Sequence, residues 1–301
     1  MLWYNSRDRL LYGAMRRTTS RPYAQYQNAS RLWYNNRDRL LYGAFHKGQH
    51  SGGMLVSYIQ AAKGGEAVLT FQNVSKAYGK QAVLADISLR VLPGECVGLC
   101  GENSAGKTTL LSIAAGLVKA DSGKVLLSGT AALVPQQDTL PDYLTVTQCL
   151  ALFYAAHHRA TGELFAPDST ELLLGLGDYR RQQLKKLSGG RRRRLSICLA
   201  LVGQPALLLL DEPFAGLDIA ARQELARTLT ELKHAGRGVL LSAHELPEIL
   251  ACCDRVVVLR DRQIRAEISL DRQQSSDGAL SQQIVEAITG EPPQSVMERK
   301  F

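Results

Sequence analysis

The sequence predicts an α/β protein built around a sheet with parallel strands, because strand-like and helix-like segments alternate along the chain. The strand-like segments are residues 68–71, 85–91, 96–100 and 206–210, and the helix-like segments are residues 108–117 and 191–201. The segment 206–210 is continuously apolar, which is typical of a strand covered on both faces of a parallel sheet. Gly79, Pro93 and Gly94 separate the first three strands.

The composition favours a packed globular protein, since 45% of the 301 residues are hydrophobic. A helix that spans a membrane needs roughly 18 or more consecutive apolar residues. The longest candidate, residues 195–210, is interrupted by Gln204 and Pro205. We therefore expect that the chain does not cross a membrane by itself.

The net charge of +8 is concentrated near the N-terminus. Residues 1–50 contain eight arginines and one lysine against two aspartates, so the rest of the chain is nearly neutral. This distribution does not favour a nucleic-acid-binding body. The six cysteines form no CxxC pair, and we expect them to be reduced and mostly buried thiols.

The basic N-terminal region contains an internal repeat. Residues 2–14 read LWYNSRDRLLYGA and residues 32–44 read LWYNNRDRLLYGA. Residues 1–66 are interpreted first as a disordered or spurious extension, with Met54 as an alternative start. Two other interpretations remain open: a membrane-surface anchor rich in Trp, Tyr and Arg, and an organelle-targeting segment.

Residues 101–108 read GENSAGKT and match the phosphate-binding pattern G-x-x-x-x-G-K-[ST] between a strand and a helix. Its glycines let successive backbone N–H groups point at phosphate oxygens, and the following helix adds its positive end. Lys107 would reach the β- and γ-phosphates, and the Thr108 hydroxyl would join the Mg²⁺ shell. The motif predicts nucleotide binding.

Two further motifs follow the phosphate loop. Asp211 and Glu212 follow the apolar strand. Asp211 would hold Mg²⁺ and Glu212 would act as general base. The alternative interpretation is a solvated turn, where such a pair is also common. Residues 187–190 read LSGG and precede a helix, so that Ser188 and the following amides predict a second anion site.

These residues resemble the ATP-binding cassette (ABC) ATPases that drive membrane transporters, and the resemblance covers roughly residues 68–262. By this resemblance, Tyr78 stacks on adenine, and Gln136 contacts Mg²⁺ and water and faces the transmembrane partner. Asp218 belongs to a loop at a dimer interface, and His244 contacts the γ-phosphate.

The resemblance implies a P-loop NTPase with a RecA-like core, an antiparallel β-subdomain and a helical subdomain that carries the LSGG signature. It also implies Mg-dependent ATP hydrolysis. The implied catalytic residues are Glu212, His244 and Gln136; the nucleotide-contacting residues are Tyr78, Gly101, Glu102, Asn103, Ser104, Ala105, Gly106, Lys107, Thr108, Thr109, Ser188, Gly189, Gly190 and Asp218; and the metal ligands are Thr108, Gln136 and Asp211.

The sequence departs from the family pattern at three positions. Glu102 and Ser104 replace the Pro and Gly common in the phosphate loop, so that Ser104 loses conformational freedom there. Arg191 replaces a frequent glutamine and begins a run of four arginines. We expect a solvated basic face with one phosphate or ribose contact rather than a DNA-binding stripe.

The expected organisation is an N-terminal extension over 1–66, a cassette over 67–262 with a helical insert at about 148–190, and a polar C-terminal extension over 263–301 with a helix-like segment at 280–288. One chain contains one phosphate loop and one signature, so the resemblance implies pairing with a second cassette, identical or different. It also implies a separate transmembrane permease subunit and a place on the cytoplasmic face of the membrane.

The amino-acid sequence of residues 138–146 resembles that of exporter-type cassettes. The rival hypothesis is a soluble ABC-type ATPase that acts on ribosomes or nucleic acid. The single visible cassette and the short spacing between phosphate loop and signature oppose it, and no nucleic-acid partner is expected. A small-molecule kinase or GTPase would leave the LSGG turn and the Asp218 loop unexplained.

Overall fold

The computed structural model describes residues 67–137, 140–167, 169–271 and 276–290. The predicted N-terminal extension and its repeat lie outside these ranges. The described residues divide into two units, which we call the sheet unit (up to Gln136 and from Pro205 onward) and the helical unit (Gln137–Gln204).

The elements follow each other in an order that agrees with the predicted alternation. The strands are β1 (Leu69–Tyr78), β2 (Gln81–Val91), β3 (Cys96–Cys100), β4 (Ser122–Leu127), β5 (Ala131–Val134), β6 (Leu207–Leu210), β7 (Gly238–Ser242), β8 (Arg255–Arg260) and β9 (Gln263–Ser269). The helices are α1 (Lys107–Ala114), α2 (Val146–Ala156), α3 (Thr170–Leu173), α4 (Gly189–Leu201), α5 (Ile219–His234), α6 (Leu246–Cys252) and α7 (Asp277–Thr289).

The larger sheet has six strands in the order β5-β6-β7-β3-β8-β9, and all neighbours pair in parallel except β8 and β9. Strand β6 lies between two parallel neighbours and all four of its leucines are buried. The prediction of an α/β fold with a parallel sheet is therefore confirmed. This arrangement brings the carboxyl ends of β3, β5, β6 and β7 to one edge of the sheet.

The smaller sheet is antiparallel, in the order β2-β1-β4, which confirms the predicted antiparallel β-subdomain. Its residues alternate between buried and exposed along β2, where Ile87, Leu89 and Val91 are buried and the residues between them are exposed. This period of two is expected of a sheet with one face on a core. One hydrophobic cluster joins this face to α1, β3 and β6, and it supports the loop between β3 and α1.

The larger sheet continues beyond residue 262, the predicted end of the cassette. Strand β9 pairs with β8 in antiparallel register, and α7 lies against both strands. Helix α7 covers the helix-like segment 280–288 of the predicted C-terminal extension. Residues 291–301 lie outside the described ranges.

The helical unit contains α2, α3 and α4. Thr145 begins α2 with a capping box, because its side chain accepts from the Gln148 N–H while the Gln148 side chain accepts from the Thr145 N–H. The Tyr154 hydroxyl donates to the buried carboxylate of Glu171 over 2.6 Å, which links α2 to α3. None of the helices in the described ranges combines the length and the hydropathy that crossing a bilayer requires.

The prediction of a solvated basic face on α4 is wrong. Arg193 is buried, with 8% of its surface exposed. Arg191 lies over the ring of Tyr179, with its guanidinium carbon 3.9 Å from the ring centre. Arg192 pairs with Asp142 over 2.6 Å. The run of arginines therefore contacts other residues of the helical unit. Arginine stems and planar guanidinium groups pack well against aromatic and polar neighbours.

The carboxyl of Glu248 on α6 makes the free energy of unfolding depend on pH. Burial raises the pKa of Glu248 to about 7 from an ordinary 4.5, although Arg222 opposes this shift and lies 3.2 Å away. The folded protein therefore binds this proton more tightly than the unfolded chain does. The contribution of this carboxyl to the free energy of unfolding is greatest below pH 4.5 and is lost as the pH rises through about 7.

We expect Glu248→Gln to raise the free energy of unfolding at pH 8 by about 1–3 kcal/mol, because a neutral side chain avoids the cost of the buried charge. Arg222 keeps its pairing with Glu245 in this variant. Urea unfolding at pH 5, 6 and 8 measures the effect, and Glu231→Gln, on an exposed carboxyl of α5, is the control. An equal gain at all three pH values would contradict the prediction.

Candidate nucleotide-binding site

The loop between β3 and α1 follows a path that two of its glycines make accessible. Gly101 has φ 151° and Gly106 has φ 106°. A Cβ on Gly101 would lie 2.2 Å from the carbonyl oxygen of Leu259, and a Cβ on Gly106 would lie 2.8 Å from the side chain of Leu84. Only glycine fits both the backbone angles and the space, so the loop is held against the core at both ends.

Ser104 also adopts a left-handed conformation, with φ 67°. This is the position at which the sequence analysis expected a loss of conformational freedom. A residue with a Cβ is strained in this region by about 1–2 kcal/mol. The loop therefore keeps its shape against a local conformational cost, as is common at functional sites.

Lys107 lies inside the loop, with 6% of its surface exposed. Its ammonium donates to the carbonyl oxygens of Gly101 over 2.7 Å and Glu102 over 2.9 Å. Burial lowers the pKa of Lys107, while the carboxylates of Glu212 and Asp211 oppose this shift. A partly desolvated cation held by the loop is suited to bind an anion that enters the loop.

Asp211, which follows β6, connects the start of α1 to the end of β7. Its carboxylate accepts from the Thr108 hydroxyl over 2.8 Å and from the Ser242 hydroxyl over 2.7 Å. Ser242 in turn accepts from the backbone N–H of Glu212 over 2.9 Å. Asp211 is buried, so it is not the solvated turn residue of the alternative interpretation.

Glu212 is bound on both carboxylate oxygens by the two other predicted catalytic residues. The Gln136 amide donates to one oxygen over 2.6 Å, and the His244 ring nitrogen Nε2 bonds to the other. Glu212 itself has φ 45°, a left-handed conformation that is strained for a residue with a Cβ. The three residues come from the ends of β5, β6 and β7, which are adjacent in the sheet.

The remaining predicted nucleotide contacts are described within their own elements. Tyr78, at the end of β1, is 52% exposed, with the Lys76 ammonium 5.4 Å from its ring centre. Asp218 caps α5 by accepting from the Ala221 N–H over 2.8 Å. Ser188 caps α4, and Gly189 and Gly190 are the first residues of that helix in the helical unit.

Sequence reasoning missed Ser242. Its side chain is fully buried and makes two of the hydrogen bonds that hold the carboxylate pair. The signal was its position at the end of an apolar segment two residues before His244. A polar residue that ends a buried strand is a candidate partner for groups at the same sheet edge.

The residues present fit a magnesium nucleotide. The loop leads directly into the N-terminus of α1 and contains the buried Lys107 ammonium, and both features suit phosphate oxygens. A hydroxyl, a carboxylate and an amide oxygen are hard oxygen ligands of the kind that Mg²⁺ prefers. Thr108, Asp211 and Gln136 supply these groups next to the loop.

Comparison with known proteins identifies the family. Residues 84–215 match the family described as ABC transporter. The lipopolysaccharide export system ATP-binding protein LptB of Haemophilus influenzae is 33% identical over 209 residues, which span 64% of this chain and 87% of that protein. The aliphatic sulfonates import ATP-binding protein SsuB of Mycobacterium avium is 35% identical over 209 residues, which span 69% and 83%. The chain belongs to the ABC transporter ATPase family.

The fold of this ABC ATPase agrees with a solved structure of the family. A structure described as the ATP-binding subunit of an ABC transporter matches with a TM-score of 0.63 and 28% identity, covering 72% of this chain and 99% of that chain. The predicted P-loop NTPase fold, with its antiparallel β-subdomain, is therefore confirmed as an ABC ATPase fold.

We expect Ser242→Ala in this ABC ATPase to lower the free energy of unfolding by about 1–3 kcal/mol, because the Glu212 N–H loses its acceptor and Asp211 loses a donor in a buried place. Urea unfolding measures the loss. Ser196→Ala is the matched control, since the Ser196 hydroxyl bonds only to the Arg192 carbonyl four residues earlier in its helix. Equal losses in the two variants would contradict the special role of Ser242.

We expect Ser104→Gly to raise the free energy of unfolding by up to about 1 kcal/mol, because glycine adopts the left-handed conformation without strain but has more freedom in the unfolded chain. Thermal or urea unfolding measures the change. The control is Ser122→Gly at the exposed start of β4, where a gain in flexibility brings no relief and stability falls.

Proposed function

We propose that this chain is the ATP-hydrolysing subunit of a membrane ABC transporter, which couples ATP-driven pairing of two cassettes to movement of a separate permease. The observation that carries the proposal is the convergence of Gln136 and His244 on Glu212, beside the Thr108–Asp211 pair. Hydrolysis of a phosphoanhydride by water requires a general base, a γ-phosphate contact and a metal site near the phosphate loop. The sheet edge supplies a candidate for each.

Each side chain has a distinct role in this proposal. The loop amides and Lys107 bind the β- and γ-phosphates, and Tyr78 stacks on the base. Thr108, Gln136 and Asp211 would hold Mg²⁺, which supplies Lewis-acid neutralisation of the phosphate charge. Glu212 accepts the proton of the attacking water through a lone pair that Gln136 and His244 leave available. His244 orients Glu212 and contacts the γ-phosphate.

Pairing of two cassettes follows from the number of motifs. One chain contains one phosphate loop and one LSGG turn, and in this proposal the turn of one copy binds the nucleotide in the loop of another. Ser188, Gly189 and Gly190 present the N-terminus of α4 to that nucleotide. Asp218 and its loop contact the facing copy. Loss of the γ-phosphate removes the charge that both copies bind, and the pair separates.

The permease partner is proposed from the relatives, whose printed names describe ATP-binding proteins of an export and an import system. In this proposal the chain is a peripheral protein on the cytoplasmic face of the membrane. Gln136 and the segment that follows it receive the permease and transmit the movement. The exporter-type assignment rests on the sequence of residues 138–146, of which the first two lie outside the described residues.

The domain assignment is part of the same proposal. The cassette comprises residues 67–262, with a helical insert at about 148–190 that carries the signature. Residues 1–66 and 263–301 are extensions. The pairing of β9 with β8 supports a close structural link between the cassette and the start of the second extension.

We expect Glu212→Gln to lower the ATP turnover rate by about 100- to 10,000-fold, because glutamine cannot accept the proton of water. Binding of ATP remains, so the ATP-bound pair accumulates. Phosphate release and the molecular mass in solution, both measured with ATP and Mg²⁺, test these two expectations. Glu224→Gln, on an exposed carboxyl of α5, is the control and retains turnover.

A second variant separates nucleotide binding from catalysis. Lys107→Ala should bind ATP weakly and therefore neither turn over nor pair. Normal turnover in Glu212→Gln would refute the base role, and ATP-dependent pairing in Lys107→Ala would refute the proposed origin of dimerisation.

A further inference from the structure

Three buried cysteines meet at the end of β3 that is remote from the phosphate loop. Cys96 is the first residue of β3, Cys252 ends α6 and Cys253 follows it. The phosphate loop begins after the last residue of the five-residue strand, roughly 16 Å further along. The cluster is therefore separate from the nucleotide site, and neither the proposed function nor the family motifs use it.

The spacing of the three sulfur atoms matches that of thiolates around one metal ion. The Sγ atoms of Cys96 and Cys253 are 3.7 Å apart and those of Cys252 and Cys253 are 4.0 Å apart. All three lie within 4.8 Å of one another. A metal–sulfur bond of about 2.3 Å implies sulfur–sulfur distances of about 3.8 Å in a tetrahedral site and about 4.0 Å in a trigonal one. The three sulfur atoms would have to move only slightly closer together to bind one ion.

The surroundings of the cluster favour a soft cation with three sulfur ligands. In the part of the chain that the structure describes, no histidine or carboxylate ligand atom joins the three sulfurs at this spacing. The thiols are buried, with 9% exposure at Cys253 and less at the other two. Structural zinc sites take four ligands, whereas soft thiolate ligands alone suit Cu(I).

The neighbouring groups pack closely on the cluster and fix its backbone segments. Cys253 packs on Gly98 of β3, where an added Cβ would lie 3.2 Å from its sulfur. The residue after Cys253, Asp254, accepts from the Cys96 N–H over 2.8 Å, which fixes the two backbone segments to each other. Asp254 also pairs with the Lys233 ammonium over 2.9 Å, so a cation lies beside the cluster. The Asp254 side chain is exposed at 44% of its surface.

We propose that Cys96, Cys252 and Cys253 form a binding site for one soft, thiophilic cation, Cu(I), which joins the start of β3 to the junction of α6 and β8. Three sulfur–metal bonds form as three thiol protons pass to solvent, so no oxidant or reductant is consumed. The resulting complex carries two negative charges, and the Lys233 ammonium, itself paired with Asp254, lies beside it. Because α6 begins two residues after His244, the bound ion stabilises the helix that follows this residue.

The test uses the full-length chain, kept reduced and free of oxygen, with Cu(I) supplied from a competing chelator. We expect one equivalent to bind, X-ray absorption to report three sulfur neighbours at about 2.3 Å, and the melting temperature to rise. Cys252→Ala should weaken binding by at least about 100-fold, the upper end of the loss seen when a ligand's supporting partner is removed.

Two control variants show whether Cu(I) binding is specific to these three cysteines. Cys198→Ala removes a buried thiol of the helical unit and should leave binding unchanged. Lys107→Ala impairs the proposed nucleotide site and should also leave Cu(I) binding unchanged, so failure of the proposed function would not affect this result. If Cys252→Ala does not fold, X-ray absorption of the unmodified chain still decides the number of sulfur ligands.

Three outcomes of the metal-binding measurements would overturn the proposal. These are failure to compete with the chelator, a metal shell with fewer than three sulfurs, and tighter binding of Zn²⁺ than of Cu(I) in a parallel titration. A disulfide between two of the three cysteines in the reduced preparation, detected as a mass lower by two hydrogens, would also overturn it.

Discussion

The candidate site depends on one buried hydroxyl, that of Ser242, which connects the Asp211 carboxylate to the backbone of Glu212. It donates to Asp211 and accepts from the backbone of Glu212. Asp211 bonds to Thr108 on α1, whereas Glu212, which follows it in a left-handed conformation, bonds to Gln136 and His244. The parallel order β5-β6-β7 makes this arrangement available, since the carboxyl ends of all three strands lie at one edge.

Residues at the same edge of the sheet have strained backbone conformations and a buried charge. Packing of the hydrophobic core offsets the free-energy cost of both. Ser104 and Glu212 have left-handed backbone angles, and Lys107 is buried with its pKa lowered by desolvation. These features cost free energy in the absence of a ligand and are retained because the surrounding structure determines them. The hydrophobic cluster that joins α1 to both sheets provides that support. Binding of an anion would recover part of the cost, because a negative charge favours the protonated form of Lys107.

Strand β3 connects two chemically different places. Its carboxyl end leads into a loop of backbone amides and oxygen ligands, which suits phosphate and a hard cation. Its amino end contributes a thiol to a buried sulfur cluster, which suits a soft cation. The two ligand chemistries do not compete, and the strand between them is buried along its whole length. The nucleotide site and the thiol cluster can therefore be studied independently in the same chain.

The sequence by itself determined the features that depend on neighbouring residues: the phosphate loop, the strand β6 and its two carboxylates, the capped helix after LSGG, and the α/β class. It also identified Gln136 and His244 through the order of the motifs. The role of Ser242, the three-cysteine cluster and the burial of Arg193 were decided only by the tertiary structure. The Ser242 bonds and the cysteine cluster join segments that are distant in the chain, so their proximity depends on strand order and helix packing. Periodicity and spacing report the environment of a residue along its own element, whereas a contact across the sheet depends on which element lies beside it.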